Sequence, residues 1–342
     1  MASIMMGKLV GWTHRGALAG IALMALAATG WAGPDPAKVI GPDECGECHK
    51  AEVNVWRKTH HYTTFQELPR KDKAREIADK MDVRRLKSES LCLKCHFTEM
   101  TKDDGSTDTI AGIGCESCHG GAKDWNKIHS DYGGKDVKRD SEAPEHRTQR
   151  IAASRAAGMI QPSMLYDWAN NCYSCHTVPE EKLVNVGGHT AGSKFELVTW
   201  TQGEIRHNVW YTDAKSNPEA SQEQKRLMLV VGQMLDLEHA LRGVAKATER
   251  ADYAVAMAGR AKAAAQRIKQ ISEAQTTPEI DAVLAVAGSV ELKLGNADQL
   301  TAAADKIGEQ ARALAANNDG SALAGLDGLI PGADQYKGTP SQ

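Results

Sequence analysis

The chain has 342 residues and a formal net charge of −3, and only 5% of its residues are aromatic, three of them Phe. Its length suffices for one large domain or two ordinary ones. The charge balance provides no bulk basicity for a nucleic-acid partner. A core built from so few aromatic side chains would be thin, so we expect something other than side chains to fill it.

Residues 1–32 have the pattern of an export signal. An apolar run over residues 16–30 is followed by small residues, Gly30 and Ala32, at the positions that signal cleavage requires. The basic start of the segment carries Lys8, His14 and Arg15. An uncleaved anchor is the alternative, but a run of about fifteen residues is short for a span that needs roughly twenty. We predict a signal peptide, a mature protein in the periplasm or outside the cell, and no stable membrane span after cleavage.

The eight cysteines of the mature chain form four C-x-x-C-H motifs, at 45–49, 92–96, 115–119 and 172–176. Two intervening residues let both thiols of one motif reach the two vinyl groups of one porphyrin, and the adjacent His then lies beneath the iron. A zinc site would pair two C-x-x-C units without a His after each. A redox dithiol would be expected once. We predict four covalent c-type haems, whose attachment also drives folding.

The predicted thiols and proximal iron ligands follow directly from the four motifs. The haem-binding cysteines are Cys45, Cys48, Cys92, Cys95, Cys115, Cys118, Cys172 and Cys175. The proximal histidines are His49, His96, His119 and His176. The glycines of "GIGCESCHGG" (112–121) are predicted either to bring the backbone close to a ring face or to form ordinary turns.

The remaining elements follow in chain order. Residues 51–91 alternate charged and apolar groups at helical spacing, which predicts a solvated helix, and 100–111 and 131–149 read as polar loops. After about residue 215 the chain is rich in Ala, Leu, Lys and Glu, and Pro218 and "TTPEI" (276–280) are helix starts. Helices are predicted near 219–247, 250–274, 278–294 and 297–316.

These elements predict a mainly α protein. Residues 33–215 form a tetrahaem cytochrome c domain with little regular sheet, 216–316 form an α-helical bundle or hairpin domain, and 317–342 form a flexible tail. The C-terminal helices have no Cys and one His. We therefore expect them to hold no metal and to serve in homo-oligomerisation, in docking a redox partner or in capping the haem domain.

Distal ligands would separate an electron carrier from an enzyme. Two His ligands on one iron suit electron transfer, whereas an iron without a sixth ligand can bind a small molecule. The histidines available outside the signal and the motifs are His60, His61, His129, His146, His189, His207 and His239.

Two segments of the sequence resemble a known family. "ECGECHKAEVNVWRKTHH" (44–61) is similar to the C-x-x-C-H…W-x-x-[ST]-x-H opening of tetrahaem cytochromes of the cytochrome c-554 family, and "GIGCESCHGG" resembles their third-haem segment. The likeness extends over about residues 41–210. The resemblance implies three ligand pairs, namely His49 with His207, His119 with His61, and His176 with His129.

The sequence does not determine the distal ligand of the second motif. His189 is the favoured distal ligand for His96, and an open or weakly held iron, as in the family's type member, is the main alternative. His60 and His146 are lesser candidates, and Met100 is more typical of packing. His60 is otherwise expected on the far side of its helix, His146 in solvent, and His239 at the surface or an interface.

Three functions are compatible with the sequence. The favoured one is a carrier that relays electrons between redox protein partners, a donor and an acceptor that the sequence does not identify. The second is an oxidoreductase acting on a small nitrogen or sulfur compound at an open second haem. The third is a subunit of an extracellular haem filament, for which the separate helical segment is an awkward fit.

Overall fold

The computed structural model describes residues 33–88 and 90–341, so the predicted signal peptide lies outside the described residues. The fold is mainly α, as predicted, and the described residues contain one two-stranded sheet. Among these residues no helix has both the length and the apolar character needed to cross a bilayer.

Short helices surround the four motifs. In the second, third and fourth motifs the proximal His is the last residue of a helix that contains both cysteines, whereas in the first motif only Cys45 lies in a helix and His49 immediately precedes the next one. The helices of this part are α1 (Pro42–Gly46), α2 (Lys50–Trp56), α3 (His60–Glu67), α4 (Asp72–Lys80), α5 (Ser90–His96), α6 (Cys115–His119), α7 (Asn126–His129), α8 (Pro144–Ala156), α9 (Leu165–His176), α10 (Glu181–Asn185) and α11 (Leu197–Thr201).

Two predicted loops contain regular structure. Residues 100–111 belong to a hairpin in which β1 (Thr98–Thr101) pairs antiparallel with β2 (Thr107–Ala111). This hairpin places β1 beside the third motif, and Thr98 lies where the two segments meet. Residues 131–149 include a 3₁₀ turn, Arg139–Ser141, and the first turns of α8, which starts with Pro at its first position. Polar composition therefore concealed a strand pair and a helix start.

The C-terminal helices match the predicted set closely. They are α12 (Gln222–Lys246), α13 (Asp252–Ala274), α14 (Pro278–Gly288) and α15 (Ala297–Asn317). Helix α12 starts later than Pro218 suggested because Ser221 and Gln224 form a reciprocal capping box. Helix α14 begins at Pro278 as predicted and ends early, at Gly288.

Helix α12 is the centre of the hydrophobic core. Its side chains are buried on every side, including Leu229, Val230, Met234 and Leu235, which have no exposed surface. The helix contacts α9, α11, α13 and α15. One continuous core therefore extends from Leu165 in α9 to Leu326, across residue 215. The division at 215/216 into two domains remains a prediction.

The last segment, predicted to be flexible, packs against the helices. Leu323 and Leu326, in a 3₁₀ segment over Ser321–Leu329, are fully buried. The Asp327 carboxylate accepts hydrogen bonds from Arg226 at 2.6 and 2.8 Å. The sparse apolar residues of this segment gave no periodic signal. The two leucines, the Arg226–Asp327 pair and hydrogen bonds such as Arg267 to the Leu329 carbonyl (2.8 Å) and Tyr336 to Glu219 (2.8 Å) hold the segment in place.

His239 belongs to α12 and packs against α9, within the chain. Its ring stacks on Tyr173 with centroids 6.1 Å apart, and its Nε2 is 2.8 Å from Asn170 Oδ1. Burial lowers the pKa of His239 to about 3. The imidazole is therefore neutral in the folded protein at neutral pH.

This buried imidazole predicts a pH dependence of stability. The unfolded chain binds a proton at His239 near pH 6.5, whereas the folded chain does so only near pH 3. The free energy of unfolding should therefore be highest above pH 6.5 and fall by about 1–2 kcal/mol between pH 7 and 5. His239→Gln keeps a hydrogen-bonding group opposite Asn170 but cannot titrate. In urea titrations at pH 7 and pH 5, its free energy of unfolding should therefore lack this part of the pH dependence. Parallel pH profiles for the two proteins would contradict it.

Candidate haem-binding sites

Each of the four proximal histidines lies opposite a second His ring. The ring centroids are 6.3 Å apart in all four pairs. The pairs are His49 with His129, His96 with His189, His119 with His207, and His176 with His61. All eight predicted metal-ligating histidines are therefore brought together two by two.

This spacing fits two imidazoles on opposite sides of one metal ion. A ligating nitrogen lies about 2.0 Å from its metal and about 1.1 Å from the centre of its own ring, so the two ring centres would be about 6.2 Å apart. The porphyrin supplies the other four ligands of a haem iron, so two protein donors suffice. The donor set of each pair matches a six-coordinate haem.

Hydrogen bonds fix the ring orientation in most pairs. In four rings the Nδ1 lies within hydrogen-bond distance of a backbone carbonyl: His119 with Ile160 (3.0 Å), His129 with Asn126 (2.5 Å), His189 with Thr190 (2.8 Å) and His207 with Ile205 (2.7 Å). A carbonyl only accepts, so Nδ1 carries the proton and the Nε2 lone pair stays free for a metal. His176 Nδ1 lies 2.9 Å from Ser193 Oγ.

Burial keeps the buried imidazoles neutral, as metal ligation requires. It lowers the pKa of His96 and His119 to about 4 and that of His176 to about 3. For His96 and His119 the opposite ring of the pair, His189 or His207, adds to the effect of burial.

The pairing differs from the one that the family resemblance implied. His61 faces His176 and not His119, His129 faces His49 and not His176, and His207 faces His119 and not His49. Helix α3 explains the first change, because Phe65 packs edge-on against Phe97 and turns α3 toward the second and fourth motifs. His189 faces His96, the arrangement favoured from sequence.

Two of the three unpaired mature-chain histidines lie against carboxylates. His60 is exposed, and its Nδ1 lies 2.8 Å from Glu204 Oε2. His146 is half-buried, and its Nδ1 lies 2.8 Å from Glu142 Oε1. His146 was expected in solvent, but Glu142 also accepts from Arg150 and draws both side chains together.

Contacts between motifs order the four sites in a row. The thiol of Cys45 in the first motif contacts Cys115 in the third, and this contact raises the pKa of Cys45. In the same way, Cys95 of the second motif contacts Cys175 of the fourth, and this contact raises the pKa of Cys95. Asn171 Nδ2 donates to the Cys118 carbonyl at 3.0 Å and joins the third motif to the fourth. The order is therefore first, third, fourth and second.

Buried polar atoms without partners collect around these sites. Among the described residues, the side-chain atoms that are buried and lack a hydrogen bond belong to Glu52, Trp125, Asn171, Tyr173, Arg206, Tyr253 and Arg260. Except for Tyr253, each of these residues is either close in sequence to a motif or a paired His, or packs near one of them. A buried donor or acceptor without a hydrogen-bond partner lowers the stability of the folded state. A bound polar group, such as a haem propionate beside Arg206 or Arg260, fits these positions.

A cavity of about 510 Å³ opens beside the first motif. It is lined by Cys48, Glu52, Arg139 and Trp210, among others, and the Trp210 ring lies 4.6 Å from the His49 ring. This volume is within the range of cofactor sites, roughly 300–1,000 Å³. The fourth site is enclosed by Phe195 and Trp200, whose rings lie 4.5 and 4.9 Å from His176.

Sequence reasoning missed several residues that build the sites. Glu116, inside the third motif, is buried and accepts hydrogen bonds from the backbone N–H groups of Ile40 (3.0 Å), Gly41 (2.9 Å) and Ala122 (2.8 Å). Arg260 of α13 donates to the Ser193 carbonyl at 2.9 Å. Nothing in sequence distinguished Glu116 from Glu47, the exposed acidic residue between the cysteines of the first motif, and nothing linked Arg260 to the fourth site.

Gly112 shows what the glycines of "GIGCESCHGG" do. A Cβ at this position would lie 2.1 Å from the His61 carbonyl oxygen, which also accepts a hydrogen bond from Ile113 at 3.0 Å. Gly120 has φ +83° and lies against the Gly158 carbonyl. Both glycines allow close contact between backbone segments, and the Gly112 contact fixes the position of His61.

Gly112→Ala should therefore disturb the fourth site from a distance. The added methyl group must push the His61 carbonyl away, which should cost about 1–3 kcal/mol of stability. It should also alter the spectrum of the centre held by His61 and His176. The control is Gly259→Ala, where a Cβ meets nothing within 4 Å. Equal melting curves and spectra for both variants would contradict this role of Gly112.

Comparison with known proteins supports haem attachment in the motif region. The family described as "Cytochrome c554 and c-prime" matches residues 44–120, which contain the first three C-x-x-C-H motifs. Cytochrome c-554 of Nitrosomonas europaea is 28% identical over 143 residues, which cover 40% of this chain and 56% of that protein. The chain thus matches little more than half the length of this curated relative. No solved structure gives a significant match.

The family match ends at residue 120 and so does not reach the fourth motif at 172–176. The motifs, their paired histidines and the two matches point the same way. Over residues 44–120 the chain therefore resembles the cytochrome c-554 family, and together with the C-x-x-C-H motifs this match supports a c-type cytochrome with covalently attached haem.

Proposed function

We propose that the protein is a tetrahaem electron carrier that relays electrons between redox protein partners in a respiratory chain. The observation that carries this proposal is the second His ring 6.3 Å from every proximal His. Haem supplies a one-electron redox centre when it is bound. Two imidazoles on one iron suit electron transfer because they remain bound in both oxidation states.

The protein residues hold each centre in a fixed environment. Carbonyl acceptors orient the imidazoles through Nδ1, and Phe195 and Trp200 exclude water at the fourth site. Cys45 lies beside Cys115 and Cys95 lies beside Cys175, so the sites that these cysteines would hold are neighbours. A row of adjacent sites is the arrangement that passes electrons along one chain.

The two alternative functions have less support. An enzyme would need an open iron, and the second motif is the candidate for it, but His189 lies opposite His96. A filament subunit would be expected to take a ligand from a neighbouring copy, whereas the eight paired histidines belong to one chain. Both arguments favour the carrier.

We also propose export to the periplasm. The signal pattern of residues 1–32 supports this proposal, and so do the C-x-x-C-H motifs, since haem is attached to such motifs in exported proteins. The donor and acceptor would be redox proteins of that compartment. The C-terminal helices would stabilise the fourth site, since Arg260 and α12 pack against its surroundings.

Haem counting and ligand binding test this function together. The protein is produced in a host with cytochrome maturation, and haem per chain is measured as the pyridine haemochrome. We expect four haems per chain, full reduction by dithionite, and no change of the oxidised spectrum with cyanide at moderate concentration. Rapid cyanide binding at one centre would favour the enzyme instead.

A further inference from the structure

A second cavity, of about 560 Å³, lies on the surface between α4 and the segment that precedes the second motif. Its lining is strongly basic in a chain of net negative charge. The charged residues that line it are Arg70, Arg75, Asp79, Arg84, Arg85 and Lys87. Five basic side chains against one carboxylate leave a local excess of four positive charges.

Most of this charge is not neutralised within the chain. Arg75 is paired with Asp72 at 2.6 Å, and the neighbouring lysines of α4 are paired with Glu76. Within residues 33–88 and 90–341, no carboxylate lies within ion-pair distance of Arg70, Arg84, Arg85 or Lys87. Burial lowers the pKa of Lys87, and the positive charge of Arg70 adds to this effect.

The basic cleft adjoins the second site. The Lys87 ammonium lies 3.4 Å from the centre of the Phe65 ring, and the Phe65 ring packs edge-on against Phe97 at 6.3 Å. Phe97 directly follows His96 in the chain. A molecule held in the cleft is therefore separated from the second site by one packed pair of aromatic rings.

We propose that this cleft is the docking surface for a redox partner protein with an acidic surface, and that electrons enter or leave the row of sites at the second motif. The proposal rests on the electron-carrier function. The exposed arginines Arg70, Arg84 and Arg85 suit an acidic protein surface, because they attract it over a distance of about a Debye length and pair with carboxylates on contact. The end position of the second site in the row suits an exchange point.

The test uses a reduced plant-type ferredoxin, an acidic one-electron donor, as the probe. Stopped-flow spectroscopy gives its second-order rate of haem reduction over a range of sodium chloride concentrations. The cleft variant is Arg84→Glu with Arg85→Glu. The control, Arg147→Glu with Arg250→Glu, makes the same change of net charge at exposed arginines elsewhere. A neutral flavin radical serves as a reductant that needs no docking surface.

We expect the cleft variant to react about tenfold more slowly than the wild type at low salt, with the difference vanishing at high salt. The control variant should change by less than about twofold, and all three proteins should react equally with the flavin radical. Equal losses in both variants, or no loss in either, would overturn the proposal.

Two further outcomes are informative. If inorganic phosphate suppresses the ferredoxin reaction far more than chloride at equal ionic strength, the cleft is a small-anion site and the docking proposal is overturned. If the wild type is not reduced even by the flavin radical, the electron-carrier function itself fails. The two failures are therefore distinguishable in one set of measurements.

Discussion

His61→Ala is expected to convert the fourth centre, and not the third, from low spin to high spin. His61 lies opposite His176 at 6.3 Å, so its removal leaves that position without a second imidazole. One of the four centres should then bind cyanide or added imidazole, and the other three should keep their spectra. Paramagnetic NMR identifies the altered centre through its contacts with Phe195 and Trp200, which flank His176.

His60→Ala is the matched control for this experiment. His60 is the preceding residue on α3, but it is exposed and lies against Glu204. Its removal should change no centre. A high-spin third centre in His61→Ala would restore the pairing that the family resemblance implied and would refute the one in the structure. His207→Ala should in turn affect only the third centre, since His207 faces His119.

Glu116→Ala is expected to be the most destabilising single change near the motifs. The Glu116 carboxylate is buried and accepts three backbone N–H groups, from Ile40, Gly41 and Ala122. Truncation leaves these donors buried without an acceptor, and bonds to a charged acceptor are worth about 1.5–3 kcal/mol each. We expect a loss of about 3 kcal/mol or more, measured by thermal or urea unfolding of the haem-loaded protein.

The first motif supplies the control for Glu116. Glu47 lies between Cys45 and Cys48 but is exposed, so Glu47→Ala should change stability by less than about 0.5 kcal/mol. Glu116→Gln retains one acceptor oxygen and should fall between the two. A Glu116→Ala variant as stable as Glu47→Ala would show that the three hydrogen bonds do not hold the third motif in place.

The parts of this protein that local chemistry dictates were predictable from sequence. Cysteine spacing and the following His define the motifs, and the 3.6-residue apolar period with Pro278 at a helix start defines α14 and its neighbours. Conversely, the hairpin at residues 98–111 was hidden by polar side chains that face solvent. The packed tail was hidden because Leu323 and Leu326 follow no helical period, and its other anchors are hydrogen bonds to residues far along the chain, such as Asp327 with Arg226.

The pairing of the histidines depends on tertiary packing, so spacing along the chain could not determine it. His61 is twelve residues beyond His49 in sequence, but the contact of Phe65 with Phe97 directs α3 to another motif. The same applies to Arg260, which reaches Ser193 from a helix far along the chain. The sequence therefore identified the candidate iron ligands, but it did not show which two histidine rings face each other.

Electron paramagnetic resonance of the oxidised protein, with haem quantified in the same sample, tests the central account most directly. The ring planes are nearly parallel for His49 and His129 (18°) and nearly perpendicular for His119 and His207 (89°). Parallel imidazoles separate the iron d orbitals in energy more than perpendicular ones do, so these two centres should give distinct low-spin signals. We predict four low-spin haems per chain and no high-spin signal. A high-spin centre, or fewer than four haems in fully matured protein, would contradict the account.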